Sequence, residues 1–449
     1  MNAIEALGQY LVLVQSNPGL FRDDPPLLAR LRQEAQGRLP GEIESYKADK
    51  TIPVECRPDT MYAPDYGINL QHLEMTADVA SAFRCGVPNL NCYLAVVVGD
   101  VVHFTDSMLK APEGLEVYSL RNVPEKYLNM AAYIGRRGDS LNALLLSDGI
   151  YIRVAEGYEI DKPIQIVNIF NGSTPMLTPR RVIVDAGPLS AVKVLLCDHS
   201  QSPDTPHLAS QVVNINAAEG AHVEIYDIEE AAPATRRRWQ LIAEQASNSE
   251  LTVSSAYLHG GVSANEYIID VNGDGCATNL SGLAICTGEQ VVSNKVTLRH
   301  HGQHCTSRQL FKNAVFDQAH GAFGGRVIVE EEACHTDAAQ TNRNILASPD
   351  ARMDASPQLE IYCDEVKASH GATTGQLDER ALFYMQSRGI PRDEARRMLT
   401  QAFMTDVIDN IGYEVLRQRL HVLVEKRLNG DAASCSTCAT ACHSNNNEQ

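Results

Sequence analysis

Four cysteines recur at one fixed interval in the second half of this 449-residue chain. They are Cys276, Cys305, Cys334 and Cys363, and each follows the previous one by 29 residues. One full turn of a parallel β-helix per interval would produce this spacing, because equivalent residues of successive coils lie on neighbouring strands about 4.8 Å apart. The interval therefore predicts a β-solenoid in which the four cysteines form a structural column, packed as small apolar side chains.

The segment from Tyr151 to Leu377 has the strand pattern that such a solenoid requires. Short apolar runs alternate with Gly, Asn, Asp and Ser, and the pattern allows helical structure only in short pieces near Trp239. Before this segment, Gly99–Asp100 and Asp148–Gly149 are turn signals between apolar runs. We therefore expect β-hairpins to precede the solenoid.

Helical patterns occur on both sides of the strands. Apolar residues recur at helical spacing near the N-terminus, and after Leu377 three helical runs follow, the first ended by Gly389 in the left-handed conformation with apolar Ile390 behind it. The predicted organisation is a helical region over 1–90, transitional β-hairpins over 91–150, a β-helix core over 151–376, a helical domain over 377–430 and a disordered, cysteine-containing tail over 431–449.

Charge excludes several classes of partner. The formal net charge is -18, and the short basic clusters Arg236–Arg238 and Arg396–Arg397 are interpreted as solvated turns or helix faces. Nucleic acid and anionic membranes are therefore poor partners. No basic leader precedes an apolar stretch and no apolar run reaches 18 residues, so we expect a cytoplasmic protein whose cysteines are reduced.

Several side chains are candidate metal ligands. His370 lies in the small-residue stretch Ser369–Thr373, which leaves its imidazole accessible at the last coil. Its alternative is a hydrogen-bonded structural histidine. A second cluster, His300, His301 and His304 with Cys305, needs a turn at Gly302 to share one metal ion. The weaker candidates are Cys363 and four residues of the tail, Cys435, Cys438, Cys442 and His443.

Motifs for catalysis are absent from the sequence. It contains no Gly-rich loop ending in Gly-Lys-Ser/Thr, no nucleophile elbow around a serine and no His-Glu-x-x-His helix. We therefore expect no catalysis and no nucleotide bound by this chain, so that any energy source belongs to a partner.

The C-terminal part of the chain carries a set of short motifs that together are specific to one family. They are Ser307–Gln309, Thr336–Asp337, Pro357–Tyr362, Ser369–Thr373, Gly375, Phe383–Tyr384 and Ser387–Ile390. With these motifs the chain resembles the SufD subunits of the SUF iron-sulfur cluster assembly machinery. The resemblance is close from about residue 295 to 403, is weaker in the earlier solenoid, and is only generic in the first hundred residues.

The resemblance implies a fold, two partners and a role for one histidine. The fold is a right-handed parallel β-helix between helical ends. The partners are a SufB subunit, which forms a heterodimer through the C-terminal part of the solenoid, and the SufC ATPase; the isolated chain could also form a homodimer. His370 is implicated in forming a transient iron-sulfur cluster, or binding iron, at the SufB interface. The surface expected to dock the ATPase comprises Phe383, Tyr384, Arg388, Gly389 and Ile390.

Two departures limit what the resemblance implies. Many relatives carry Cys where this chain has Ala368, which removes a ligand at that position, and the cysteine-bearing tail is not a family feature. A SufB-like scaffold is an alternative, although the SufB motif has Glu at Gly371 and its essential cysteine matches Ala351. A metal-storage solenoid is another alternative. A polysaccharide lyase or acyltransferase lacks support, since no carboxylate-Arg cluster or hexapeptide repeat is present.

Overall fold

The computed structural model describes residues 3–17, 19–48, 52–69 and 91–430. Within these residues the strands form two long sheets, one of ten strands and one of nine. From β4 onward successive strands alternate between the sheets, and each pairs in parallel with the strand two positions later. This is the predicted parallel β-helix.

The strands of the ten-stranded sheet are β1 (Tyr93–Val98), β2 (Val101–Phe104), β5 (Ile164–Phe170), β7 (Ala191–Ser200), β9 (His222–Glu230), β11 (Glu250–Tyr257), β13 (Ala277–Cys286), β15 (Thr306–Val315), β17 (Asp337–Leu346) and β19 (Lys367–Gly375). The strands of the nine-stranded sheet are β3 (Leu115–Ser119), β4 (Ile150–Val154), β6 (Met176–Ala186), β8 (His207–Ala217), β10 (Thr235–Gln245), β12 (Val262–Val271), β14 (Val291–His300), β16 (His320–Val329) and β18 (Arg352–Ile361).

Helices lie on both sides of the solenoid in the sequence. Before and between the first strands these are α1 (Ala3–Ser16), α2 (Pro26–Ala48), α3 (Pro58–Met61), α4 (Asp106–Leu109), α5 (Glu125–Gly135) and α6 (Ser140–Leu145). After the solenoid these are α7 (Glu379–Ser387), α8 (Arg392–Asp409) and α9 (Glu414–Leu428). None of the described helices is long and apolar enough to cross a membrane.

Alternating side chains of each strand fill the space between the two sheets. Four aromatic rings form a continuous stack there: Trp239 lies 5.2 Å from Tyr267, Tyr267 lies 5.8 Å from Phe311, and Phe311 lies 5.0 Å from Phe323. Trp239 is fully buried in the middle of β10, so the prediction of short helical pieces around it is wrong. Its large ring is accommodated in the apolar space between the two sheets, which the inward face of β10 lines.

The basic cluster Arg236–Arg238 is also not a solvated turn. Arg237 is buried between two carboxylates, with Nε 2.7 Å from Asp198 and an Nη atom 2.5 Å from Asp227. Arg238 pairs with the buried Asp139 at 2.6 Å. Buried guanidinium groups require such partners. Asp198 lies on β7, Asp227 lies on β9, and Asp139 directly precedes α6.

Residues 91–150 contain more helix than the hairpin pattern indicated. β1 and β2 form an antiparallel hairpin at Gly99, which has a φ of 60°. The second turn signal, Asp148–Gly149, instead joins helix α6 to β4. Helices α5 and α6 lie between these strands because their buried apolar faces pack against α2, with contacts among Leu28, Leu31, Ala131, Ala132, Ile134 and Leu146.

The helices α8 and α9 pack back onto the outer face of the ten-stranded sheet. Leu420 and Val424 are buried there against sheet residues such as Leu283. The buried Lys312 of β15 stabilises this interface between sheet and helices, because its Nζ donates to the Phe403 carbonyl at 2.8 Å. The helical domain is therefore joined to the solenoid by a continuous apolar core.

Candidate functional site at the open end of the β-helix

The last coil of the solenoid leaves two sheet edges uncovered. Within the described residues, β18 ends one sheet and β19 ends the other, and each pairs with a neighbouring strand on one side only. The inward residues of β18 are only half-buried because no further coil of the described chain covers them; they are Met353, Ala355, Pro357 and Leu359. Unpaired edges of this kind are templates for pairing with another chain.

His370 lies on β19 at this open end. Its Cα is in register with Gln340 of β17, which in turn pairs with Gln309 of β15. Gln309 and Gln340 are 3% and 2% exposed, so the shared side-chain direction of this column is inward. His370 therefore occupies the last inward position of this column, and its side chain is exposed because the described coils end there.

The interior beneath His370 is polar rather than apolar. Gln340 Nε2 donates to Gln309 Oε1 at 2.9 Å. Two inward positions further along the strands, Asn313 Nδ2 donates to Asn344 Oδ1 at 2.7 Å, and Asn344 Nδ2 donates to the Thr374 hydroxyl at 3.3 Å. The sequence reasoning missed these amides, although Gln309, Gln340 and His370 recur at nearly the interval of the cysteines.

The four predicted column cysteines form two pairs. Backbone hydrogen bonds from Thr306 to Cys276 and from Asp337 to Cys305 make Cys276 and Cys305 equivalent, and the next equivalent residue is Thr336. The coil between β15 and β17 is longer than the one before it, which places Cys334 outside the column. Extra residues in a connecting loop lengthen a coil without disturbing the strand pairing, and this is why equal spacing did not mean equal position.

Cys334 and Cys363 are joined by a disulfide between adjacent coils, with their Cα atoms 5.7 Å apart. The expectation of reduced cysteines is therefore wrong for this pair, whose sulfurs the fold brings within bonding distance. Only a thiolate binds metal well, so Cys363 is a metal ligand only after this bond is reduced. The rings of His304 and His335 stack beside this corner at 4.6 Å. Both residues have left-handed backbone, with φ of 56° and 60°.

Cys276 and Cys305 are buried inside the solenoid and contact each other. The hydrogen bond between the two sulfurs, together with burial, raises the pKa of the Cys305 thiol because that thiol is the donor. Both sulfurs also lie near backbone carbonyls, with Cys276 Sγ 3.0 Å from the Ala246 oxygen. The same hydrogen bond lowers the pKa of the Cys276 thiol, so of the two thiols only that of Cys305 is held protonated by this contact.

The cluster of His300, His301, His304 and Cys305 is not one site. His300 is fully buried on the inward face of β14, with Nε2 3.0 Å from the Ser307 hydroxyl, whereas His301 and His304 are exposed. Burial lowers the pKa of His300 to about 4, so it is neutral near pH 7. Across the described part of the chain, no three His, Cys, Asp or Glu side chains converge on a common metal position.

Two family models together match most of the chain. The model described as "SUF system FeS cluster assembly, SufBD core domain" matches residues 168–403, and "SufBD protein N-terminal region" matches residues 7–166. The chain belongs to the SufBD family.

Curated relatives in the SufBD family agree with this assignment. The iron-sulfur cluster assembly protein SufD of Escherichia coli is 33% identical over 233 residues, which are 51% of this chain and 54% of that protein. A SufBD family protein of Synechocystis is 28% identical over 315 residues, 66% of this chain and 69% of the relative. SufD of Bacillus subtilis is 24% identical over 291 residues, 64% of this chain and 66% of that protein. The aligned part thus spans about half of the Escherichia coli relative.

Within this SufBD protein, helix α7 ends in the predicted way. Gly389 has a φ of 89°, its N–H bonds to the Gln386 carbonyl, and the Ile390 N–H bonds to the Met385 carbonyl at 3.2 Å. This pair of bonds is a Schellman motif.

The face of α7 that precedes this cap is apolar and uncovered. Phe383 is 74% exposed and Tyr384 is 59% exposed. The Arg388 guanidinium lies 5.3 Å from the centre of the Tyr384 ring. Large aromatic side chains beside an arginine are typical of protein interfaces. The tail candidates Cys435, Cys438, Cys442 and His443 lie outside the described residues.

Proposed function

We propose that this SufBD protein is the SufD-type scaffold subunit of a SufB-SufC-SufD complex, works in the cytoplasm and has no catalysis of its own. The open end of the solenoid carries this proposal, because it combines two unpaired strand edges with an accessible imidazole over a polar interior. Iron and sulfide are then substrates of the assembly. The chain supplies a surface on which they meet.

The proposed partner at the open end is a SufB-like subunit. A second solenoid with a similar uncovered coil would pair its edge strands with β18 and β19 and bury the half-exposed residues between them. His370 would then face the partner from within a closed interface, as a neutral imidazole ligand for iron or for the transient cluster. A second copy of this chain has the same edges and is the competing occupant when SufB is absent.

The proposed docking site for a SufC-like ATPase is the exposed face of α7. Phe383→Glu should abolish capture of the ATPase, since it places a charge where an aromatic anchor is buried on binding. The stability of the chain should change by less than about 0.5 kcal/mol, because the ring is solvated in the free protein. Val422→Glu on α9 is a matched control, with a side chain that is 49% exposed on a different helix.

Affinity capture from a cell that co-expresses the three subunits tests the complex. Capture through this chain should recover both an ABC-type ATPase and a second solenoid subunit. Recovering neither the ATPase nor the second solenoid subunit would contradict the proposal. A SufB-like role for this chain is less well supported, because two relatives are SufD proteins. In addition, the SufB-type glutamate is replaced by Gly371, where a side chain would meet no neighbour within 4 Å.

A further inference from the structure

Gln309, Gln340 and His370 occupy equivalent inward positions on three neighbouring strands, and we call this column the interior ladder. The Gln340 amide is the member next to His370. Its Nε2 donates downward to Gln309 Oε1 at 2.9 Å. Its Oε1 is buried and has no hydrogen-bond partner in the described part of the chain. Leaving a buried carbonyl oxygen unpaired is unfavourable, so a donor is expected on the side of the next coil.

The surroundings hold this amide in place. A β-carbon at Gly325, on the facing strand β16, would lie 2.2 Å from Gln340 Nε2, so the glycine leaves room for the amide in its present position. Gln309 fixes the nitrogen side from the coil below. The oxygen is therefore directed away from Gln309. In the ladder the residue on that side is His370.

We propose that Gln340 is a positioning residue for His370: its Oε1 accepts the N–H of one imidazole nitrogen and thereby selects the tautomer whose other nitrogen faces out of the open end. A histidine that binds metal commonly donates its second ring N–H to a carbonyl or carboxylate, which fixes the ring and its tautomer. The inference deepens the proposed function, on which its biological meaning rests. The proposed contact involves only residues of this chain, so it needs neither iron nor a partner.

The tautomer of His370 is measured directly in the isolated chain. Protein labelled with ¹⁵N-histidine, at about pH 8.5 where an ordinary imidazole is neutral, gives two ring-nitrogen shifts that report the tautomer ratio. His370→Ala assigns the signals. In the parent one tautomer should dominate, and Gln340→Met, which keeps the length of the side chain but removes the acceptor, should move the ratio by a factor on the order of five.

Two further variants distinguish loss of the hydrogen-bond acceptor at residue 340 from a nonspecific disturbance of the solenoid interior. Gln340→Glu keeps an acceptor oxygen, and the Gln309 amide can turn to donate to the second oxygen, so the parent tautomer should persist. Asn344→Leu removes a buried amide from the same strand, four residues from Gln340, and should also leave the His370 ratio unchanged.

An unchanged ratio in Gln340→Met would overturn the inference, as would a Gln340→Glu variant that behaves like Gln340→Met. Should Gln340→Met not fold, Gln340→Glu decides alone, since a shifted ratio there contradicts acceptance and the parent ratio supports it. A failed cluster assay with a normal tautomer shift would contradict the proposed function only. The reverse pattern would contradict this inference only.

Discussion

The β-helix should lose free energy of unfolding as the pH falls from 6.5 to 4, and replacing His300 with leucine should make this loss about 3 kcal/mol smaller. The imidazole is fully buried on β14, in a column between Val271 and Val329. Burial is the main cause that lowers its pKa to about 4, and the charge of neighbouring His301 adds to this. Protonating this ring inside the solenoid is therefore unfavourable.

The magnitude follows from the difference between the folded and unfolded pKa values. In the unfolded chain the ring titrates near its ordinary 6.5 and in the folded chain near 4, so between these pH values the unfolded state binds more protons. The stabilisation is complete above about pH 6.5 and is lost as the pH falls toward 4. A difference of about 2.5 pKa units corresponds to roughly 3 kcal/mol.

Urea unfolding at pH 7 and at pH 4.5 measures this difference. The chain has one tryptophan, Trp239, which is fully buried two coils from His300, so its fluorescence reports the coils concerned. His300→Leu should lose less stability than the parent between the two pH values. His222→Leu is the matched control, because the His222 side chain is 59% exposed. An acid-side loss in His300→Leu equal to that of the parent would refute the reasoning.

Three further perturbations test the packing. Reducing the Cys334–Cys363 disulfide, which spans 29 residues, should destabilise the last coil by about 3 kcal/mol, seen as faster amide hydrogen exchange in β19; Cys334→Ser should not respond to the reductant. Leu420→Ala, at a site 1% exposed, should cost about 2–5 kcal/mol in urea unfolding and loosen α9. Gly325→Ala should cost about 1–3 kcal/mol by the same measurement, because its β-carbon would contact the Gln340 amide; no loss for either substitution would contradict the packing described.

The sequence was sufficient to predict the solenoid and the end of α7. The solenoid was visible because its coils repeat along the chain, and the α7 terminus because Gly389 followed by Ile390 is a local signal. The pairing of Arg237 with Asp198 and Asp227 was not visible, because it depends on which residues of different strands become neighbours in the fold.

Register also explains what was missed at the candidate site. The last coils are not equal in length, so Cys334 leaves the column that Cys276 and Cys305 begin, and its disulfide partner was not apparent from equal spacing. The Gln340 amide was overlooked for the same reason. His370 was found because its small-residue surroundings and the family motif are both local, whereas its support comes from another coil.

Cluster formation with and without His370 tests the central claim most directly. The chain is co-expressed anaerobically with its SufB and SufC counterparts, and the visible absorbance of the purified complex is compared for the parent, His370→Ala and the exposed control His222→Ala. The proposed function predicts that all three complexes assemble and that only His370→Ala lacks the cluster absorbance. Equal absorbance in the parent and in His370→Ala would contradict the role of the open end.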